Sequence, residues 1–195
     1  MQPNLVPNSI VYYYFKIDWP KTFKEKYLHE QVYFKYDQIK DELYFYLTRY
    51  LETIAPNFAE GTILIGSDHA GFGLKNYLSD YLTTKKVQFV DCGCYTDESC
   101  DYPDIAHLVA RSISKKLFSK GILICKTGNG MQMTANRHES IRAALCCDEN
   151  DVRYAKENLK ANIIALGSRC CTDDIFCVEH VLMENMLDIF LGNTL

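Results

Sequence analysis

The residues best suited to chemistry in this chain stand together in GILICKTGNGMQMTANR, positions 121–137. An apolar run, Ile122 to Ile124, ends on Cys125 and breaks at once into a glycine-rich loop, Lys126-Thr127-Gly128-Asn129-Gly130-Met131. A short helical pattern follows, Gln132 to Arg137. A strand that feeds a helix N-terminus through glycines turns successive backbone N–H groups toward one point and makes a pocket for an anion. A cysteine at the edge of that pocket is a base or a nucleophile when it is a thiolate. The stretch therefore reads as a base beside an oxyanion site. The plain alternative is a buried cysteine closing a strand before an ordinary turn.

Groups that could work with Cys125 fall at the ends of other apolar runs. Ser67, Asp68 and His69 follow TILIGS, Asp101 and Tyr102 follow VQFVDCG, Asp148 follows IRAALCC, and Ser168 and Arg169 follow NIIALG. Together with the Thr127 hydroxyl and the Asn136 carboxamide they would make one small polar site. Two reactions suit it. Cys125 with His69 as its base could transfer an acyl group. Alternatively, Cys125 could abstract a proton next to a carbonyl while N–H groups hold the enediolate oxygen. The pattern leaves both open. It predicts no nucleotide cofactor, because KTGNGM holds only a GxG and GxGxxG is absent after the first apolar run. His138, just past the short helix, is a candidate border residue; His107 and His180 fall within helical patterns and read as structural or exposed, and His29 has no motif around it.

The elements that must position these groups alternate regularly from residue 61. Expected strands are 62–67, 87–93, 121–125, 141–147 and 162–168. Expected helices are Gly71–Thr84, Asp104–Phe118, the short Gln132–Arg137, Asp148–Leu159 and a long closing Thr172–Leu191. Strand alternating with helix five times predicts an α/β fold: a Rossmann-like five-stranded parallel sheet with helices on both faces. Ligands in such folds bind beyond the carboxyl ends of the strands, where the candidate groups lie. Residues 1–60 differ. They are rich in Tyr and Phe and read as an N-terminal aromatic, largely helical extension, with a helix over 38–55 that places Ile39, Leu43, Leu47, Tyr50, Leu51 and Ile54 on one face. An added packing layer is the expected role, and a partner-binding surface the alternative.

Composition narrows the class. The 195 residues are 48% apolar and 24% charged with a net charge of -4, which suits one globular domain and gives no general nucleic-acid surface. No segment is long and apolar enough to cross a bilayer. Nine cysteines, odd in number and lying inside apparent strands and helices, predict reduced thiols and a cytoplasmic setting. Cys92-Gly-Cys94 with Cys100 lacks the second His or Cys pair of a zinc site, so no metal is expected. After Arg169 the chain has no Lys or Arg, while Asp173, Asp174, Glu179, Glu184 and Asp188 follow.

Five separated segments, GSDHAGFGLKNYL, VDCGCYTDESCDYPDIA, GILICKTGNGMQMTANR, IRAALCCDEN and NIIALGSR, resemble ribose-5-phosphate isomerase B in order and spacing, within a wider family that includes the galactose-6-phosphate isomerase subunits. The resemblance covers residues 61 to about 190 and makes 61–195 a sugar-phosphate isomerase domain behind the 1–60 extension. It implies metal-free aldose–ketose isomerisation through an enediolate, with ribose 5-phosphate and ribulose 5-phosphate as the expected pair. Carried over, Cys125 is the base and Thr127 assists proton movement between the oxygens. Backbone N–H groups of Gly128, Asn129, Gly130 and Met131, with Asn136, form the anion hole. Asp68 and His69 contact the sugar oxygens and the phosphate end, Tyr102 lines the pocket, and Arg169 binds phosphate. The resemblance also implies a homodimer or dimer of dimers whose sites are completed by a neighbouring subunit.

Four departures accompany it. The family loop CGTG is CKTG here, which adds Lys126 beside the proposed base. The histidine of a REHND-like segment, which opens the sugar ring in the ribose enzymes, is replaced by Asn158, and an amide is neither an acid nor a base near neutral pH. The family's CHD is Cys146-Cys147-Asp148, and the family's basic C-terminal tail gives way to the acidic end. YAKENLKAN resembles the galactose-6-phosphate isomerase subunit that carries the cysteine and takes its ring-opening histidine from a partner chain. Two alternatives follow: one subunit of a heteromeric isomerase, or a catalytically weakened relative kept for binding.

Overall fold

A computed structural model of the chain describes residues 51–52, 55–170 and 178–192. Five strands, β1 (Ile63–Ser67), β2 (Phe89–Asp91), β3 (Gly121–Cys125), β4 (Ala143–Leu145) and β5 (Ile163–Gly167), pair in parallel in the order β2-β1-β3-β5-β4. Between and after them run α1 (Phe72–Thr84), α2 (Tyr102–Ser114), α3 (Asn129–Ala135), α4 (Glu149–Glu157) and α5 (Val178–Leu191). The central strands β1 and β3 are buried at every residue, as parallel strands covered on both faces must be.

Side-chain alternation along each strand divides the core in two. Leu64, Leu123, Cys125 and Ala165 pack with Ile105, Val109 and Ile113 of α2 and Met131 of α3. Ile63, Ile65, Ile122, Ile124 and Leu166 pack with Leu74 and Leu78 of α1, Val152 of α4 and Met186 of α5. Leu51 is buried with the α2 face, and Glu52 pairs with Lys115 at 2.5 Å. Among the described residues no helix is long and apolar enough to cross a membrane.

The strand order creates the site. From β1 the chain leaves through α1 on one face toward β2, and from β3 it leaves through α3 on the opposite face toward β4. The loops after these two neighbouring strands diverge, and a crevice opens between them at their carboxyl ends.

Some boundaries differ from expectation. The edge strands β2 and β4 have three residues each, shorter than the apolar runs that contain them. Helix α2 begins at Tyr102, with Pro103 in its first turn where a missing N–H costs nothing. Helix α3 starts at Asn129, three residues before Gln132, because Gly128 takes φ 78° and turns the chain straight into it. Of the helix expected over 38–55, Leu51, Glu52 and Ala55 are described: the first two are helical, and Ala55 opens the short 3-10 turn Ala55–Asn57; the first part of the closing helix lies outside the described residues.

Candidate active site

Cys125 sits at the last position of β3, buried, with its sulfur accepting a hydrogen bond from Gly128 N–H at 3.1 Å. That contact exists because the loop folds back tightly. A Cβ on Gly128 would lie 2.5 Å from Leu145 Cδ1 and 3.2 Å from the Leu166 carbonyl carbon, so only glycine lets the loop lie on β4 and β5. Gly167 does the same from below, where a Cβ would meet the Thr127 carbonyl carbon at 3.1 Å. Thr127 is exposed, and its hydroxyl accepts the Asn129 N–H at 3.4 Å. The first N–H groups of α3 have no helical partner and face the loop side of the helix. Met131 contributes backbone only, since its side chain is fully buried.

The opposite wall comes from β1. Asp68 caps the short turn His69–Gly71 by accepting Gly71 N–H at 2.9 Å, and its own N–H reaches Ile124 O at 3.1 Å. Burial pushes its carboxyl above the ordinary carboxylate value, against the opposing pull of the Gly71 N–H and the nearby His69. His69 is exposed, with Nδ1 3.2 Å from Cys100 N–H and 3.1 Å from Cys100 O. The Ser168 hydroxyl donates to Ala70 O at 2.7 Å and ties the turn to the end of β5. Tyr102 closes the top: its ring lies over Gly130, where a Cβ would be 2.7 Å from it. Arg169 N–H donates to Lys126 O at 3.0 Å, so two exposed cationic side chains leave adjacent backbone positions at the rim. Neither side chain makes an ion pair or hydrogen bond with the other described residues.

The crevice thus brings Asp68, His69, Tyr102, Cys125, Thr127, Gly128 to Met131 and Arg169 to the carboxyl ends of β1, β3 and β5. Asn136 is the exception. Its amide is spent on the backbone of Ala143, donating to the carbonyl and accepting the N–H at 2.8 Å each, which clamps the end of α3 to β4. The carboxamide expected in the anion hole makes these two hydrogen bonds to the start of β4. Asn158 is exposed at the end of α4, and Cys147 is exposed with its N–H on Asp151. A separate cleft of about 420 Å³, lined by Gly61, Lys86, Gln88 and Lys120, opens at the amino ends of the strands, away from these groups. Among the described residues no group of three His, Cys, Asp or Glu side chains is placed to hold a metal.

Sequence patterns missed several supporting contacts. Lys75 of α1, which the helical pattern leaves unassigned, is fully buried and pairs with Asp91, 5.1 Å from the centre of the Tyr95 ring. His138 pairs with His107, Nε2 to Nδ1 at 2.8 Å. Burial and the nearby positive charges hold His138 below its ordinary value of 6.5. The folded chain therefore binds fewer protons than the unfolded one as pH falls below that value, and its stability drops there. Urea unfolding at pH 7.5 and at pH 5 should show this loss, and His138→Gln should shrink it.

Residues 63–194 match the profile of the Ribose/Galactose Isomerase family. The chain belongs to that family. It is 36% identical over 130 residues to ribose-5-phosphate isomerase B of Escherichia coli K12, a match covering 67% of this chain and 83% of that protein. It is 36% identical over 129 residues to the galactose-6-phosphate isomerase subunit LacB of Clostridium acetobutylicum, covering 66% and 70%. Ribose-5-phosphate isomerase B of Mycoplasma genitalium, solved with bound ribulose 5-phosphate, superimposes with a TM-score of 0.58 at 39% identity, covering 67% of this chain and 82% of that one. The ribose/galactose isomerase fold thus accounts for the five-stranded sheet, and the matched segment begins at β1.

Proposed function

We propose that the chain interconverts the aldose and ketose forms of a phosphorylated sugar, ribose 5-phosphate and ribulose 5-phosphate, with Cys125 moving the proton between two carbons. One contact carries the reading: the Gly128 N–H aimed at the Cys125 sulfur at 3.1 Å. A donor in that position fixes the direction from which the sulfur meets substrate. The thiolate removes the proton on the carbon next to the carbonyl. Charge then moves to the carbonyl oxygen, where the first N–H groups of α3 receive it. The thiol returns the proton to the neighbouring carbon, and the Thr127 hydroxyl passes a proton between the two oxygens. Asp68 and His69 bind sugar oxygens and Tyr102 forms the wall. Acyl transfer has less support, because no histidine nitrogen hydrogen-bonds Cys125 among the described residues and His69 Nδ1 is engaged by Cys100.

Arg169 and Lys126 are assigned to the phosphate, since the backbone bond between their residues sets both cations at one rim. Lys126→Gly should raise KM about tenfold and leave kcat nearly unchanged, the loss of one charge-assisted contact made equally in ground and transition states. Steady-state kinetics on ribose 5-phosphate reads this directly.

A partner-dependent subunit is the second reading, and the exposed amide of Asn158 favours it. The test of both is the purified chain with ribose 5-phosphate, and separately galactose 6-phosphate, in D2O. Ketose formation, with solvent deuterium entering at the first carbon of the ketose, supports an isomerase active as a homomer. No ketose formed from either sugar sinks that reading.

A further inference from the structure

We infer that His69 is the acid that opens the sugar ring before Cys125 acts, held for that task by the backbone of Cys100. This role rests on the proposed isomerase function and adds a step to it. Ribose 5-phosphate in water is a closed hemiacetal: C1 is bonded to O4, and there is no carbonyl beside which a proton could be removed. Opening needs a proton delivered to O4, and a side chain of the crevice speeds it by delivering that proton. Cys125 is committed to the carbon proton. Asp68 is buried and spends one carboxylate oxygen on Gly71 N–H. Hydroxyls such as those of Thr127 and Tyr102 belong to classes of acid much weaker than an imidazolium.

The fold sets the imidazole at the crevice with one nitrogen to spare. The turn His69–Gly71 lies on the residue before the base: Asp68 N–H donates to Ile124 O at 3.1 Å, and a Cβ on Gly71 would be 2.7 Å from the same oxygen. From β5 the Ser168 hydroxyl holds the turn on Ala70 O at 2.7 Å. On the other side stands Cys100, two residues before Tyr102, whose ring covers Gly130 in α3. His69 Nδ1 lies between two backbone groups of Cys100, 3.2 Å from its N–H and 3.1 Å from its O. The neutral ring can accept the Cys100 N–H on Nδ1, and the cationic ring can donate Nδ1–H to the Cys100 O. One residue therefore anchors the same nitrogen in both charge states. The side chain is exposed, and its Nε2 makes no hydrogen bond with the described residues.

The step needs no co-reactant but water. The His69 imidazolium gives its Nε2 proton to O4 as the C1–O4 bond breaks, and the electron pair of that bond stays on O4. The O–H electron pair of the anomeric hydroxyl becomes the second bond of the C1 carbonyl, and its proton leaves to water. The ring keeps Nδ1–H on Cys100 O as neutral imidazole and regains a proton at Nε2 from solvent. The open aldehyde then meets Cys125.

Ribulose 5-phosphate separates ring opening from proton transfer. Its C5 oxygen is esterified, so no hydroxyl is placed to close a five-membered ring on the C2 carbonyl, and it reaches Cys125 already open. His69→Asn in the full chain, whose amide can still meet both Cys100 groups, should lower turnover of ribose 5-phosphate about 10²-fold. Deuterium exchange from D2O into C1 of ribulose 5-phosphate, followed by NMR, should fall by less than about tenfold, because only the acid for O4 is lost. The variant's rate from ribose 5-phosphate should also stop rising at high enzyme concentration, where spontaneous opening becomes limiting, and imidazole buffer should raise that ceiling. His69→Gln takes the place of His69→Asn if circular dichroism shows that the latter does not fold. A fall of turnover and exchange by the same factor overturns the role, since His69 would then only bind the sugar. A fall of neither overturns it as well and moves the acid to a group outside this crevice. A native chain that neither exchanges ribulose 5-phosphate nor turns over ribose 5-phosphate overturns the isomerase reading itself, and the role of His69 with it.

Discussion

Cys125→Ala should lower kcat on ribose 5-phosphate by about 10³-fold, in the range that a positioned general base contributes. The expectation follows from location. The sulfur is the reactive atom at the carboxyl end of β3 that also receives a backbone donor from the anion loop. Alanine removes both the base and the acceptor of the Gly128 N–H but keeps the strand, whose other four residues stay packed between two cores. The stability cost should be near 1 kcal/mol, because only one small buried group is lost. Deuterium exchange into substrate should fall by the same factor as turnover, since both need the carbon proton removed. A variant that keeps near-wild-type turnover and exchange would sink the assignment of Cys125. Cys125→Ser should resemble alanine, because a hydroxyl is a far weaker acid than a thiol and has no neighbouring base among the described residues.

The sheet and the crevice were readable because their causes are local and strong. Buried parallel strands appear as unbroken apolar runs such as Ile122 to Ile124, and a helix such as α2 shows its stripe at Ile105, Leu108, Val109 and Ile113. The same rules place Asp68, His69, Cys125 and Arg169 at strand ends without any contact being known. What sequence did not reveal depends on tertiary partners. Lys75 looks like any exposed helix lysine, and only Asp91 and the rings of Tyr95 and Phe72 explain its burial. Asn136 has the chemistry of an oxyanion donor, yet the approach of β4 turns its amide to the Ala143 backbone. The start of α3 was missed because glycines in KTGNGM read as loop, whereas Gly128 alone makes the turn and Gly130 already lies in the helix.

Gly128→Ala should damage both the fold and the reaction, and the order of the two effects is informative. The residue has φ 78°, a conformation that costs a residue with a Cβ about 1 kcal/mol. The added methyl would also sit 2.5 Å from Leu145 Cδ1 and 3.3 Å from Leu166 O. The leucine methyl can rotate away, but the β5 carbonyl is fixed by its strand. The loop must therefore lift, for a total cost of about 2–3 kcal/mol in urea unfolding. Lifting it moves the Gly128 N–H off the Cys125 sulfur and shifts the first turn of α3 relative to substrate. A displacement of about 1 Å at such a site costs roughly 10²-fold in kcat, so turnover should fall by that factor under conditions where the variant is still folded. The effect on KM should be small, because the cations assigned to the phosphate, Lys126 and Arg169, stand at the rim, and Asp68 and His69 lie on the other wall. A drop in stability with kcat unchanged would mean that the loop's N–H groups take no part in stabilising the enediolate. The anion hole would then have to be sought elsewhere in the crevice.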